Sequence, residues 1–418
     1  MERKLSRITR RSLLVGTAVS PLAKPFIRPV EAATTIQMIS HRFPALEYIA
    51  ANMRKAVPGV EVNTQLMPFD KALELATIAF SSKATTPDIV YANDSTYLQF
   101  AKNGWIRPLD DLWAKHKDEF QLDDFTPAVQ KERAMQGHQW SIPATANVML
   151  FFYRQDLFEK AGKRPPSTFD EYLELARSFN SPLRAGTISC QRPVDAALNE
   201  ASWYINALGD GWFDKSWHPI FNDPKGVGAI EMLYKITRYA QQGYTSAAND
   251  ECMIALQQDS AAMGLQWASR ALAMDDPNKS RVVNKVAWSV PPQGHVPVGG
   301  DGYCISAFSK QDPDLLFRII ATATTAKNLR GAAGLMVPTR TSLLNDQELI
   351  GKYRFFPAAK AAIAVGETNP QLPEFYSVGQ FITKRIGQYL TGEMQVKPAL
   401  DAAASETENF LKGHGYYK

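Results

Sequence analysis

The sequence predicts an α/β fold in two domains, and three observations carry that reading. Strand and helix signals alternate from residue 34 onward, the 418 residues exceed what one ordinary core accommodates, and the composition changes near residue 143. The first strand signal is Thr35-Ile36-Gln37-Met38-Ile39. Leu46, Ile49, Met53 and Val57 then recur at helical spacing until Pro58-Gly59 breaks the chain. Val60, Val62, Thr64 and Leu66 alternate as a second strand, and Leu73, Ala76, Ile78 and Phe80 mark a second helix. A third strand follows at 87–91, and Asn93-Asp94-Ser95 opens a helix that Gly104 ends. This order predicts a largely parallel sheet covered by helices. Beyond residue 143, the apolar run 148–153 reads as a strand and helical patterns occupy 169–179, 196–208 and 228–241. Strand character returns at 286–290 and 302–308. Pro165-Pro166-Ser167 starts a helix, with Ser167 as its cap.

The net charge of +4 is unevenly placed. Residues 1–32 hold seven of the 46 Lys/Arg but only two of the 42 Asp/Glu, so the remaining body is close to neutral. A neutral body argues against a nucleic-acid partner, which requires clustered cations. The basic end has its own pattern. Thr9-Arg10-Arg11-Ser12-Leu13-Leu14 is a twin-arginine motif, 12–23 is a short apolar stretch, and Val30-Glu31-Ala32 offers small residues before a cleavage point. Together they predict a signal peptide over 1–32, export of the folded chain and a periplasmic location; the apolar stretch is too short to span a bilayer. Cys190, Cys252 and Cys304 are odd in number and lack CxxC or zinc spacing. They are expected as buried free thiols with at most one disulfide, whose pairing the sequence leaves open. No metal or other cofactor is expected.

Several ordered blocks carry a family likeness. Thr86-Pro87-Asp88-Ile89-Val90-Tyr91-Ala92-Asn93-Asp94 is followed by Asn103-Gly104-Trp105-Ile106-Arg107-Pro108-Leu109-Asp110. Then come Trp140-Ser141-Ile142-Pro143, the block from Phe151 to Gly162, and Pro165-Pro166-Ser167-Thr168-Phe169. Ala261-Ala262-Met263-Gly264, Gly299-Gly300-Asp301-Gly302-Tyr303 and Val337-Pro338-Thr339-Arg340 complete the series. In this order they resemble family 1 of the extracellular solute-binding proteins of bacterial ABC importers, over nearly all of 34–418. The resemblance implies a periplasmic-binding-protein-like fold of two α/β lobes, each with a central, mostly parallel sheet. It places the lobes at 33–145 with 300–330 and at 146–299 with 331–418, with chain crossings near 144–147, 298–300 and 327–334. It also implies hinge closure around a small solute and delivery by a monomer to an ABC permease.

A polyhydroxylated solute needs polar side chains to exchange hydrogen bonds with its hydroxyls and aromatic rings to cover its C–H faces. Asp94 is the leading candidate, because it follows the carboxyl end of a strand, where open parallel sheets bind ligands, and matches a family sugar-binding position. A helix-capping role is its structural alternative. Asn93 neighbours it. Ser40 and His41 follow the first strand by the same rule, and the resemblance adds Asn147 at the first crossing. Trp203 and Trp267 are candidate stacking platforms. Gly300, Asp301, Tyr303 and Arg340 complete the expected set, the glycine allowing close backbone approach. These residues favour a sugar or sugar alcohol over a polyamine, an amino-acid derivative or a phosphorylated polyol. HExxH, GxSxG and a Cys/His nucleophile arrangement are missing from the sequence. The acid pairs Asp110/Asp111 and Asp123/Asp124 read as solvated carboxylates rather than a glycosidase pair. A binding protein is therefore expected rather than an enzyme.

Overall fold

The parallel part of the fold follows directly from the alternation at the start of the chain. The computed structural model describes residues 34–417; the twin-arginine segment and its cleavage point lie outside the described residues. Strands β1 (Thr34–His41), β2 (Val60–Met67) and β3 (Ile89–Asn93) pair in parallel with β1 in the middle. Each leads into a helix: Pro44–Met53, Phe69–Ser81 and Thr96–Lys102. The apolar side chains of the first, Leu46, Ile49 and Met53, pack against Ile36 and Met38 of β1 in one core. A two-stranded hairpin, β4 (Ala134–Met135) and β5 (His138–Gln139), precedes the crossing.

Two long strands then divide the molecule into lobes. In β6 (Ile142–Arg154) the first half pairs with β9 (Pro297–Ile305), whereas the second half pairs with β7 (Met263–Trp267) and β8 (Val286–Ser289). Val148, Met149, Leu150, Phe151 and Phe152 are all buried at this change of partner. Cover on both faces explains why their stretch reads as an unbroken apolar run rather than an alternating one. β9 lies antiparallel to β3 and parallel to β10 (Glu367–Thr368). Gly300 is required here, because a Cβ would lie 2.3 Å from the Thr145 carbonyl oxygen.

Three expectations need correction. The sheet is mixed: β3–β9, β6–β9, β6–β7 and β6–β8 are all antiparallel. The reason is that β6 and β9 are crossing strands that return against the direction of the βαβ units. Beside them, Val337 bridges to Ala146 and Arg340 to Phe125. The cap of the helix Phe169–Phe179 is Thr168 rather than Ser167. Its hydroxyl accepts from the Glu171 amide, while Glu171 reaches back to Ser167 and Thr168. Finally, Cys190 and Cys252 are disulfide-bonded, with Cα atoms 6.2 Å apart, and only Cys304 is a buried free thiol. Among the described residues, no helix is long and apolar enough to cross a membrane.

Candidate functional site

The carboxyl ends of β1 and β3, the crossing segments of β6 and β9, and the facing helices of the second lobe enclose a cleft of about 1770 Å3. Of the expected residues, His41, Asn93, Asp94, Asn147, Trp267, Gly300 and Asp301 line it. Their environments assign them different work. Asn93 closes the turn that opens the next helix: its Oδ1 accepts from the amides of Ser95 and Thr96 at 3.2 and 3.0 Å. Asp94 is thereby free of capping. Asn147 fastens the crossing, accepting from the amides of Val148 and Ser269 and donating to Ser269 Oγ.

The two carboxylates differ in their donors. Asp301 accepts from Tyr91 Oη and Thr145 Oγ1, both at 2.6 Å, one on each oxygen. Asp94 accepts from Tyr376 Oη at 3.0 Å and Asn369 Nδ2 at 3.2 Å, both on Oδ2. Its Oδ1 has no protein donor among the described residues. Burial raises the Asp94 carboxyl above the usual range, opposed by the positive charge of Arg133 and the two donors. Arg133 is fully buried behind the cleft, with Nε 2.8 Å from Glu132 and one terminal nitrogen on the Ala92 carbonyl. Burial also raises Glu132. The phenol of Tyr91 is raised well beyond its ordinary range by burial and by Asp301, which keeps it an O–H donor.

Aromatic cover comes from a cluster of which the sequence reading named only His41, with Trp267 beside it. Phe69 and Tyr91 meet edge to face at 6.2 Å, and His41 meets them at 6.0 and 5.7 Å. Phe43 joins at 5.3 Å from His41, and all four rings line the cleft with Trp267. Such a wall offers C–H faces a surface, while Asp94 offers hydroxyls an acceptor. Tyr376, Gln380 and Lys384 also line the cleft, at four-residue spacing on the helix Phe375–Leu390. That polar stripe is the sequence signal that marks them. Asn369 sits in an irregular segment and has no such signal.

Four expected residues do not reach the cleft, and each is corrected here. Ser40 is fully buried, its hydroxyl 3.1 Å from that of Tyr303; it points to the strand face opposite His41. Tyr303 is fully buried beneath the floor with Ser40 as its polar partner. Trp203 packs on Phe169 at 4.6 Å and donates its indole N–H to the Pro292 carbonyl at 3.0 Å, a core role. Arg340 is fully buried, donates to the carbonyls of Thr324, Phe120 and Gln121, and lies 3.7 Å above the Phe125 ring.

The second-lobe wall rests on a buried carboxyl. Glu200 accepts from Cys190 N at 2.6 Å and Ser189 Oγ at 2.8 Å, immediately before the cleft-lining residues Pro193, Val194 and Asp195. Burial pushes Glu200 up to about 7 from an ordinary 4.5, against those hydrogen bonds. Between these values the folded state retains a proton that the unfolded chain releases. The stabilisation present below pH 4.5 is therefore lost as pH rises to about 7. Glu200→Gln removes this titration. Its unfolding free energy relative to the unaltered protein should rise by about 3 kcal/mol from pH 4.5 to pH 8. Urea unfolding across that range measures it, and a pH-independent difference would contradict the shift.

Comparisons with known proteins agree with this architecture. A family model described as bacterial extracellular solute-binding protein matches residues 40–329. The mannitol-binding protein of Pseudomonas aeruginosa is 25% identical over 350 residues, covering 75% of this chain and 78% of the relative. A solute-binding protein of an ABC transporter from Agrobacterium radiobacter, in complex with ribitol, superposes with a TM-score of 0.78 at 23% identity, covering 90% of this chain and 98% of its own. Another from Agrobacterium vitis, with bound D-mannitol, gives 0.76 at 22% identity, covering 92% and 100%. Both structures share the fold described above.

Proposed function

We propose that this chain, which belongs to the bacterial extracellular solute-binding proteins, captures a sugar or sugar alcohol in its cleft by hinge closure and hands it to an ABC permease. The observation that carries the reading is Asp94, a half-buried carboxylate whose Oδ1 has no protein donor among the described residues, set in a cleft with an aromatic wall. Oδ1 accepts a solute hydroxyl, and Phe69, Tyr91 and Trp267 cover the carbon skeleton. The mannitol-binding relative and the ribitol and mannitol complexes support a polyol as the solute class. No bond is made or broken in this scheme, so the protein acts as a carrier and not an enzyme. It works as a monomer in the periplasm. The Arg10-Arg11 motif supports twin-arginine export, and the Cys190–Cys252 disulfide suits an oxidising compartment.

A thermal-shift screen of the mature chain tests the proposal against mannitol, ribitol, maltose, spermidine and glycerol 3-phosphate. A true solute at a hundredfold excess over Kd stabilises the fold by about 2.7 kcal/mol. We expect that shift with a polyol or sugar. A shift with spermidine or glycerol 3-phosphate alone would replace the solute class, and hydrolysis of a bound glycoside would replace the carrier role.

A further inference from the structure

Asp94 belongs to the first lobe, immediately after β3, yet both donors on its Oδ2 come from the opposite wall. Tyr376 is on the helix Phe375–Leu390, which packs on the second-lobe helix Asp195–Leu208 so closely that a Cβ on Gly379 would lie 2.5 Å from Leu198. Asn369 lies just before that helix, and its amide also approaches Asn199 Oδ1 at 3.3 Å and Tyr376 Oη at 3.2 Å. The same segment makes three more bonds to the first lobe. Gln371 Nε2 donates to the carbonyls of Ala134 and Lys131 at 2.6 and 3.4 Å, and Glu374 pairs with Lys102 at 2.6 Å. Residues 369–376 thus form a strap between the walls, with Asp94 as its innermost attachment.

The phenol of Tyr376 is held far above its ordinary range by burial and by Asp94, so it can only donate to that carboxylate. With Oδ2 committed to two donors, the carboxylate is turned so that Oδ1 remains for another hydrogen bond. We infer that Tyr376 and Asn369 are positioning residues for the solute: by clasping Asp94 across the cleft, they make it a competent acceptor only when the two walls are together. This rests on the proposed solute-binding role. It couples closure to recognition, since the group proposed to bind the solute also holds the lobes, in the solute-free protein as well. Ordering a charged acceptor before the solute arrives reduces the cost of binding.

The charged and titratable groups around Asp94 are Arg133, Asp301 and Glu132, with the hydroxyls of Tyr91, Tyr97 and Tyr376. Tyr376→Phe keeps the ring and removes one donor that stabilises the ionised carboxylate. Calorimetry with D-mannitol should show Kd weakened about tenfold or more. The acid limb, where Asp94 is protonated and affinity falls, should move to higher pH than in the unaltered protein. Asn369→Ala provides a second variant with the same expected direction. Small-angle scattering of the solute-free protein should give a larger radius of gyration for Tyr376→Phe/Asn369→Ala. Unchanged mannitol affinity in both single variants would overturn the positioning role, as would an acid limb that stays in place. An unchanged radius would overturn the clasp. If the unaltered protein binds neither mannitol nor ribitol, the proposed solute class fails instead, and the scattering comparison alone decides the clasp.

Discussion

Asp94→Ala is expected to weaken mannitol binding by about a hundredfold or more and to lower the stability of the solute-free protein by about 1–3 kcal/mol. The first effect follows from loss of the charged acceptor at Oδ1. The second follows from the partners left behind. Tyr376 Oη and Asn369 Nδ2 lose their shared acceptor in a partly buried setting, and Arg133 loses a nearby negative charge. A surface carboxylate would show neither effect, and a helix cap would show only the second. Calorimetry and urea unfolding separate these cases. Normal affinity with reduced stability would remove Asp94 from the site, and lost affinity with unchanged stability would show that the strap does not depend on it.

The proposed double role is only half legible in the sequence. The position of Asp94 after a β-strand is a local feature, and the rule that ligands gather at strand carboxyl ends needs only the strand. The same rule pointed to Ser40 and His41, of which only His41 lines the cleft. It did not reveal that Asn93 closes the turn into the next helix, which depends on the local path of residues 93–96. Tyr376 and Asn369 lie more than 270 positions away and meet Asp94 only because the chain returns through β9 and β10. No local pattern encodes that return.

The aromatic residues show the same division. Trp203 carries apolar neighbours at helical spacing, and such a pattern describes a core face and a stacking platform equally well. The structure resolves the choice through Phe169, Tyr172 and Pro292, all from elsewhere in the chain. Phe69 and Tyr91, which do line the cleft, look in sequence like ordinary helix and strand residues. Strand direction was likewise beyond reach. Alternating βαβ signals forecast the parallel β1–β2 and β1–β3 pairs, but β6 and β9 read only as apolar strands and join the sheet from the other direction. The pairing of Cys190 with Cys252 depends on the packing of two second-lobe segments and has no sequence spacing of its own.

Arg340 provides the second large expected effect, and its direction is opposite to its role in the sequence reading. A lone arginine near a family motif suggests a donor to solute hydroxyls. In the fold its Nε donates to the Thr324 carbonyl at 3.0 Å and one terminal nitrogen to those of Phe120 and Gln121, while the guanidinium covers Phe125. It therefore ties residues 120–125 to the segment after the helix Pro313–Ala323, all within the first lobe. Burial lowers its ionisation to about 10, so the side chain stays charged at neutral pH and its hydrogen bonds are charge-assisted. Arg340→Met retains much of the apolar bulk but removes the charged donor from three carbonyls, of which Gln121 keeps the Asp124 amide at 3.0 Å. The expected loss is on the order of 3–5 kcal/mol of unfolding free energy, measured by urea denaturation. Mannitol affinity of the folded fraction should stay within about twofold, because no atom of Arg340 lines the cleft. Unchanged stability with abolished binding would return Arg340 to the solute site and require the first-lobe floor to rearrange on closure.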